Sequence, residues 1–161
     1  MDYRKRIIDR IESFYVDVVE EFKESEMQII ADSKFKMIFK KKNYDGNIEN
    51  LKKCKKRALS IDTEDIEIPA DDRTARRLIK AFEKCLVHFN NLCDTHTRLQ
   101  ISLKNKAENK EKLNFSSYKE LFQKVQTARN SLNGALHEMD IIYTEFTYDE
   151  DEDTSINYID L

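Results

Sequence analysis

The sequence predicts an all-α helical bundle, and three observations carry that prediction. Two apolar ladders step by alternating fours and threes: Leu78, Phe82, Cys85, Phe89, Leu92, His96, Leu99, Leu103, and then Leu121, Val125, Ala128, Leu132, Ala135, Met139, Ile142, Phe146. This alternation marks a helix seam that faces one partner. The 161 residues include only two glycines and one proline, too few turn formers for a sheet protein. Charged residues make up 37%, a share that suits the outer faces of long helices.

The first helix is expected to start at Asp2, an N-cap residue type. Its apolar face takes in Ile7, Ile8, Ile11, Phe14, Tyr15, Val18, Val19, Phe22, Ile29 and Ile30. A stripe this wide suits a helix with two neighbours. The pattern blurs over Glu24 to Met27, which predicts a bend there. Asn43-Tyr44-Asp45-Gly46 reads as a turn, with Gly46 free to take positive φ. A short helix follows over about Asn47 to Leu59, with Ile48, Leu51 and Ala58 or Leu59 inward. Pro69 disfavours helix immediately before it, and Asp71 or Asp72 caps the third helix.

The third helix runs through the first ladder toward Asn109. Asn105 to Asn114 is polar and forms the turn. Ser117 and Glu120 have capping-box spacing, which starts the last helix near Ser117. Asn133-Gly134 is a turn signal, but the heptad phase continues beyond it, so the helix is kept whole with a local kink at most. Antiparallel pairing sets Leu78 against Phe146, Phe82 against Ile142, Cys85 against Met139 and Phe89 against Ala135. It then sets Leu92 against Leu132, His96 against Ala128, Leu99 against Val125 and Leu103 against Leu121. Bulky Phe89 and His96 meet alanines, which balances layer volume. One domain is expected over 1–148, with an extended acidic tail over 149–161.

Enzyme signatures are nearly absent, and a non-catalytic protein without a cofactor is expected. Two isolated glycines make no phosphate-cradling loop, and no nucleophile-elbow or zinc-protease motif occurs. Cys85 with His88, and Cys93 with His96, have the spacing of two ligands on one helix turn. The pairs lie too far apart to share an ion, so no metal site is assigned. Cys85 and Cys93 stand about 12 Å apart along one helix and cannot bridge. With Cys54 the thiols are odd in number, as suits a reducing, cytoplasmic setting. Nothing resembles a signal peptide or a membrane span. Arg129-Asn130 and His137 resemble the Arg–His pair of HEPN ribonucleases, but seven residues intervene. That gap is longer than the family's, and the family is not assigned.

Charge segregation is the strongest functional signal. Net charge is −3 overall, yet Lys34 to Arg57 holds ten basic residues against two acids. The cations are Lys34, Lys36, Lys40, Lys41, Lys42, Lys52, Lys53, Lys55, Lys56 and Arg57, interleaved with Phe35, Phe39 and Tyr44. Clustered cations suit phosphate, and aromatics can stack on unpaired bases. The segment is therefore read as a nucleic-acid-binding surface of a small helical subunit or adaptor of a larger assembly. Phe35 and Phe39 also fit a core, and lysine runs are often only solvated faces.

Two acidic stretches balance it: six acids and no base over Asp62 to Asp72, and seven and none over Glu145 to Leu161. The tail combines Asp149, Glu150, Asp151, Glu152 and Asp153 with Tyr158 and Leu161 as apolar anchors. The alternative reading is an acidic inhibitor whose tail and 62–72 stretch occupy a basic site on a protein partner, such as a nucleic-acid enzyme. A leftover apolar face on the first helix would favour self-association.

Overall fold

Two helices packed antiparallel along their length dominate the architecture, and a third helical run packs lengthwise along both, from Arg4 beside Phe146 to Glu26 beside His96 and Arg129. The computed structural model describes the backbone of residues 2–34 and 43–155, and the side chains of 2–30 and 43–148. Helix α1 spans Tyr3–Ser13 and α2 spans Glu20–Lys34, joined without a break by a π-helical segment, Phe14–Val19. Helix α3 spans Tyr44–Leu59, α4 spans Arg73–Ala107 and α5 spans Phe115–Ser155. The described residues contain no strand, and none of their helices is long and apolar enough to cross a membrane.

The α4–α5 hairpin follows the two ladders. Every ladder residue from Leu78 to Leu99 and from Val125 to Phe146 is buried, while the outermost layer, Leu103 and Leu121, is half-buried. Ion pairs cross between the helices in the expected register. Arg77 meets Glu145 at 2.9 Å one residue before Leu78 and Phe146, and Lys84 meets Glu138 at 2.7 Å one residue before Cys85 and Met139. Helix α5 passes through Gly134 unbroken, because the apolar residues on both sides stay in phase and bury into the same interface.

The bulky layers of α4 also receive rings from the first helical run. Phe14 packs edge-on against Phe82 and Phe89, with centroids 5.6 and 5.5 Å away. Phe22 packs against Phe89 at 5.2 Å and against His96 at 6.1 Å. The irregularity in the first helix falls at Phe14–Val19 and not at Glu24 to Met27 as its sequence pattern predicts. The wider π turn, closed by the Glu20 N–H donating to the Tyr15 carbonyl, lets Phe14, Val18 and Val19 all enter the core. At the far end of the stripe Ile30 is 44% exposed and does not join the core.

The helix ends explain the remaining departures. Asp2 caps α1 and Asp72 caps α4, its side chain accepting from the Ala75 N–H at 2.8 Å. Helix α3 starts three residues earlier than expected. Asn43 is its N-cap, accepting from the Gly46 N–H at 3.0 Å, and Gly46 lies in the first turn without positive φ. The inward face of α3 is Asn47, Leu51, Cys54 and Ala58, which leaves Ile48 half-buried and Leu59 exposed. Asn114 caps α5 in place of Ser117: its Oδ1 accepts from the Ser117 N–H at 2.8 Å. Asn109, at φ 57°, ends α4. The Lys110 N–H then reaches back to the Asn105 carbonyl at 2.8 Å, and the Asn109 N–H to Lys106 at 3.1 Å, a Schellman closure with asparagine in glycine's place.

The backbone of 149–155 continues α5 as helix where the charge run predicts extended chain. Extending an existing helix adds a hydrogen bond for each residue ordered and needs no new nucleus. Residues 156–161 lie outside the described residues.

Candidate nucleic-acid interface

Helix geometry divides the cations of α3 among three directions. With Leu51, Cys54 and Ala58 inward, Lys53 and Arg57 lie on the flank toward α2 and both pair with Glu21, Lys53 at 3.0 Å. Arg57 also donates to the Asp17 carbonyl at 3.2 Å. On the other flank Lys55 makes two contacts with Asp94 of α4, at 2.8 and 2.9 Å. Only Lys52 and Lys56 stand on the outward crest, exposed and without an ion pair among the described residues. The sequence-predicted cluster is therefore not one continuous face along α3. Of the remaining predicted cations, Lys34 closes the backbone of α2 with its side chain outside the description, and Lys36, Lys40, Lys41 and Lys42 lie outside the described residues.

The described chain resumes at Asn43, and the start of α3 lies against the last turns of α4. Lys104 of α4 reaches Asp45 at 2.6 Å, and the Asn47 amide lies 3.4 Å from Gln100. The Asp45 carboxylate holds the Lys104 ammonium above its ordinary range. At this end of the bundle Lys106, Lys110, Lys112, Lys119 and Lys124 are all exposed. Lys110 pairs with Glu108 at 2.6 Å and Lys124 with Glu120 at 3.2 Å. Lys106, Lys112 and Lys119 make no ion pair among the described residues. Heptad spacing does not mark these lysines, because they lie off the apolar seam, and a linear charge count dilutes them with Glu108, Glu111 and Glu120. What the fold adds is which of them are committed to a carboxylate and which are not.

Two of the six acids of the 62–72 stretch, Asp65 and Asp72, are turned to internal ion pairs, while Glu64, Glu67 and Asp71 are exposed. Asp65 pairs with Arg6 and, at 3.5 Å, with Arg10. Asp72 accepts from the Tyr3 hydroxyl at 2.7 Å and from Arg4 at 3.2 Å in addition to its capping bond. Burial opposes charge on Asp72, but the Ala75 N–H, the Tyr3 hydroxyl and Arg4 outweigh it and hold the carboxyl below its ordinary value. These contacts tie the stretch to α1. In the tail, Asp149, Glu150, Asp151, Glu152 and Asp153 lie on the helical backbone with side chains outside the description, and Tyr158 and Leu161 lie outside the described residues.

Two polar arrangements bear on catalysis, one inside the bundle and one at its surface. His96, buried in the α4 seam, shares a hydrogen bond of 2.8 Å with Glu26 of α2. Arg129 of α5 grips the same carboxylate with both terminal nitrogens, one at 2.9 Å. Burial raises the Glu26 carboxyl, but the hydrogen bonds from His96 and Arg129 overcome it and leave the group below its ordinary value. A carboxylate held charged between two donors is saturated, and the arrangement joins three helices in place of presenting a base to solvent. His137 is separate: it is exposed and lines a shallow groove with Arg77, Lys80, Lys84 and Ile141. Arg129 and His137 thus face different surroundings.

The thiols are equally inward. Cys54, Cys85 and Cys93 are free and buried, and burial pushes the Cys85 thiol up to about 12. Among the described residues, no three His, Cys, Asp or Glu side chains converge as metal ligands. Comparison with protein-family models, curated proteins and solved structures finds no match to this chain.

Proposed function

We propose that this protein is a non-catalytic helical module that contacts nucleic-acid backbone at one end of its bundle, where α4 turns into α5 and α3 begins. The observation that supports it is the set of exposed, ion-pair-free lysines there: Lys106, Lys112 and Lys119. The described chain resumes at the same end at Asn43, with Lys52 and Lys56 on the crest of α3 beyond it. Cations already committed to carboxylates contribute less to phosphate binding, because the carboxylate must be displaced. Lys53, Lys55 and Arg57 are therefore assigned a minor share. Lysine reads phosphate charge more than base edges, so binding is expected to depend on salt and only weakly on sequence.

The test is fluorescence anisotropy of labelled RNA and DNA oligonucleotides against the full chain over a range of salt concentrations. Binding that weakens steeply with salt is expected. Replacing Lys106, Lys112 and Lys119 together by glutamine should flatten the log–log salt slope by about one for each phosphate no longer engaged. Absence of binding to any oligonucleotide at low salt overturns the proposal.

A further inference from the structure

The same end of the bundle carries an aromatic stripe that the core does not use. Phe115, Tyr118 and Phe122, at i, i+3 and i+7, lie along one side of the first turns of α5, off the Leu121–Val125 seam that faces α4. They are 79%, 36% and 43% exposed, in contrast to the core phenylalanines Phe14, Phe82, Phe89 and Phe146, all at 0%. The Tyr118 and Phe122 rings are nearly parallel, 22° apart in plane with centroids separated by 6.2 Å. Lys119 lies on the same helix face, and Lys112 and Lys106 lie in and before the turn that leads to it.

Exposed aromatic rings flanked by unpaired cations are the two components of a platform for unpaired nucleotides: ring faces take bases and ammonium groups take phosphates. A duplex keeps its base faces inside its own stack and would use only the lysines. Resting on the nucleic-acid reading above, we propose that the tip of the α4–α5 hairpin binds single-stranded nucleic acid, with Tyr118, Phe122 and Phe115 as stacking surfaces and Lys106, Lys112 and Lys119 as backbone contacts. Because every base has a π face, the platform accepts single strands of mixed sequence.

The full-length chain is titrated with labelled single-stranded oligo(U) and oligo(dT), and with a duplex of equal length, at matched salt. Single strands are expected to bind at least about fivefold more tightly than the duplex. Tyr118→Ala and Phe122→Ala should each weaken single-strand binding by about fivefold or more, with the salt slope unchanged. Tyr118→Phe and Phe122→Tyr should retain it. Circular dichroism of the alanine variants should stay helical, since both side chains stand outside the buried seam. Equal affinity for duplex and single strand, or alanine variants that bind like the parent, overturns the platform while leaving backbone binding intact. Failure of every oligonucleotide to bind overturns the nucleic-acid reading itself. Tip variants that change sedimentation from dimer to monomer without altering oligonucleotide affinity would identify the stripe as a surface between copies and overturn the platform.

Discussion

His96 and Glu26, seventy positions apart, meet at 2.8 Å inside the bundle and tie α4 to α2. Arg129 closes the same carboxylate from α5, so one half-buried side chain on α2 is shared by both helices of the hairpin. Removing it leaves Arg129 without its counter-charge and His96 without its partner. Glu26→Ala is expected to cost about 2–3 kcal/mol, less than a fully buried pair would because Arg129 is partly exposed. Urea denaturation measures it, and a loss below ~0.5 kcal/mol would show the interaction to be energetically idle.

The sign of the pH response follows from the lowered Glu26 carboxyl. A group with a depressed folded-state value contributes fully above its unfolded value, about 4.5, and loses its contribution as pH falls toward the folded one. Asp72, likewise depressed from an ordinary 3.8, adds to the same acid limb. Stability should therefore drop below about pH 4.5, and Glu26→Gln should make the drop shallower. An identical acid profile in that variant would count against the linkage.

The two glycines should respond oppositely to alanine. At Gly46 an added Cβ would stand 2.4 Å from the Asn43 amide nitrogen, so the capping side chain must move. The expected loss is about 1 kcal/mol, the worth of an N-cap. At Gly134 nothing lies within 4 Å, and alanine removes helix-interior glycine's penalty, raising stability by up to about 1 kcal/mol. Thermal denaturation of both variants checks the contrast in sign.

Phe89 lies between Phe14 and Phe22 and belongs to the hairpin seam as well, so Phe89→Ala opens a cavity in both interfaces. A loss of about 3–5 kcal/mol is expected. Phe122→Ala, at an exposed position, should change stability by well under 1 kcal/mol. Chemical denaturation of the two variants side by side tests the distinction between core and surface rings.

The three thiols should be silent in the folded protein. All are buried, and burial raises Cys54, Cys85 and Cys93 alike, disfavouring the reactive thiolate. A chromogenic disulfide reagent near neutral pH should titrate none of them until denaturant is added, and then all three. Rapid labelling of one thiol under native conditions would reveal local opening around it.

The all-α class, the long antiparallel hairpin and its ladders follow from the sequence alone, because a heptad pattern records which face of a helix avoids water. Composition likewise marks the polar turn between Asn105 and Asn114. What it does not record is which neighbour each side chain meets. The width of the stripe around Phe14 shows that two partners are needed, but only the packing of Phe14 and Phe22 against Phe82, Phe89 and His96 shows how a π turn supplies both. Glu26 carries no periodic signal and gains its role only when α2, α4 and α5 converge. The same holds for charge. A linear count groups Lys52 to Arg57 into one basic block, but at 100° per residue the helix sends Lys53 and Arg57 to Glu21 and Lys55 to Asp94. Lys106, Lys112 and Lys119, at the hairpin tip, meanwhile stay exposed and make no ion pair among the described residues. Periodicity along the chain determined the elements and their buried faces. Tertiary packing decided which charges neutralise one another and which are left facing solvent, because Coulombic and stacking interactions depend on distance in space and not on separation in sequence.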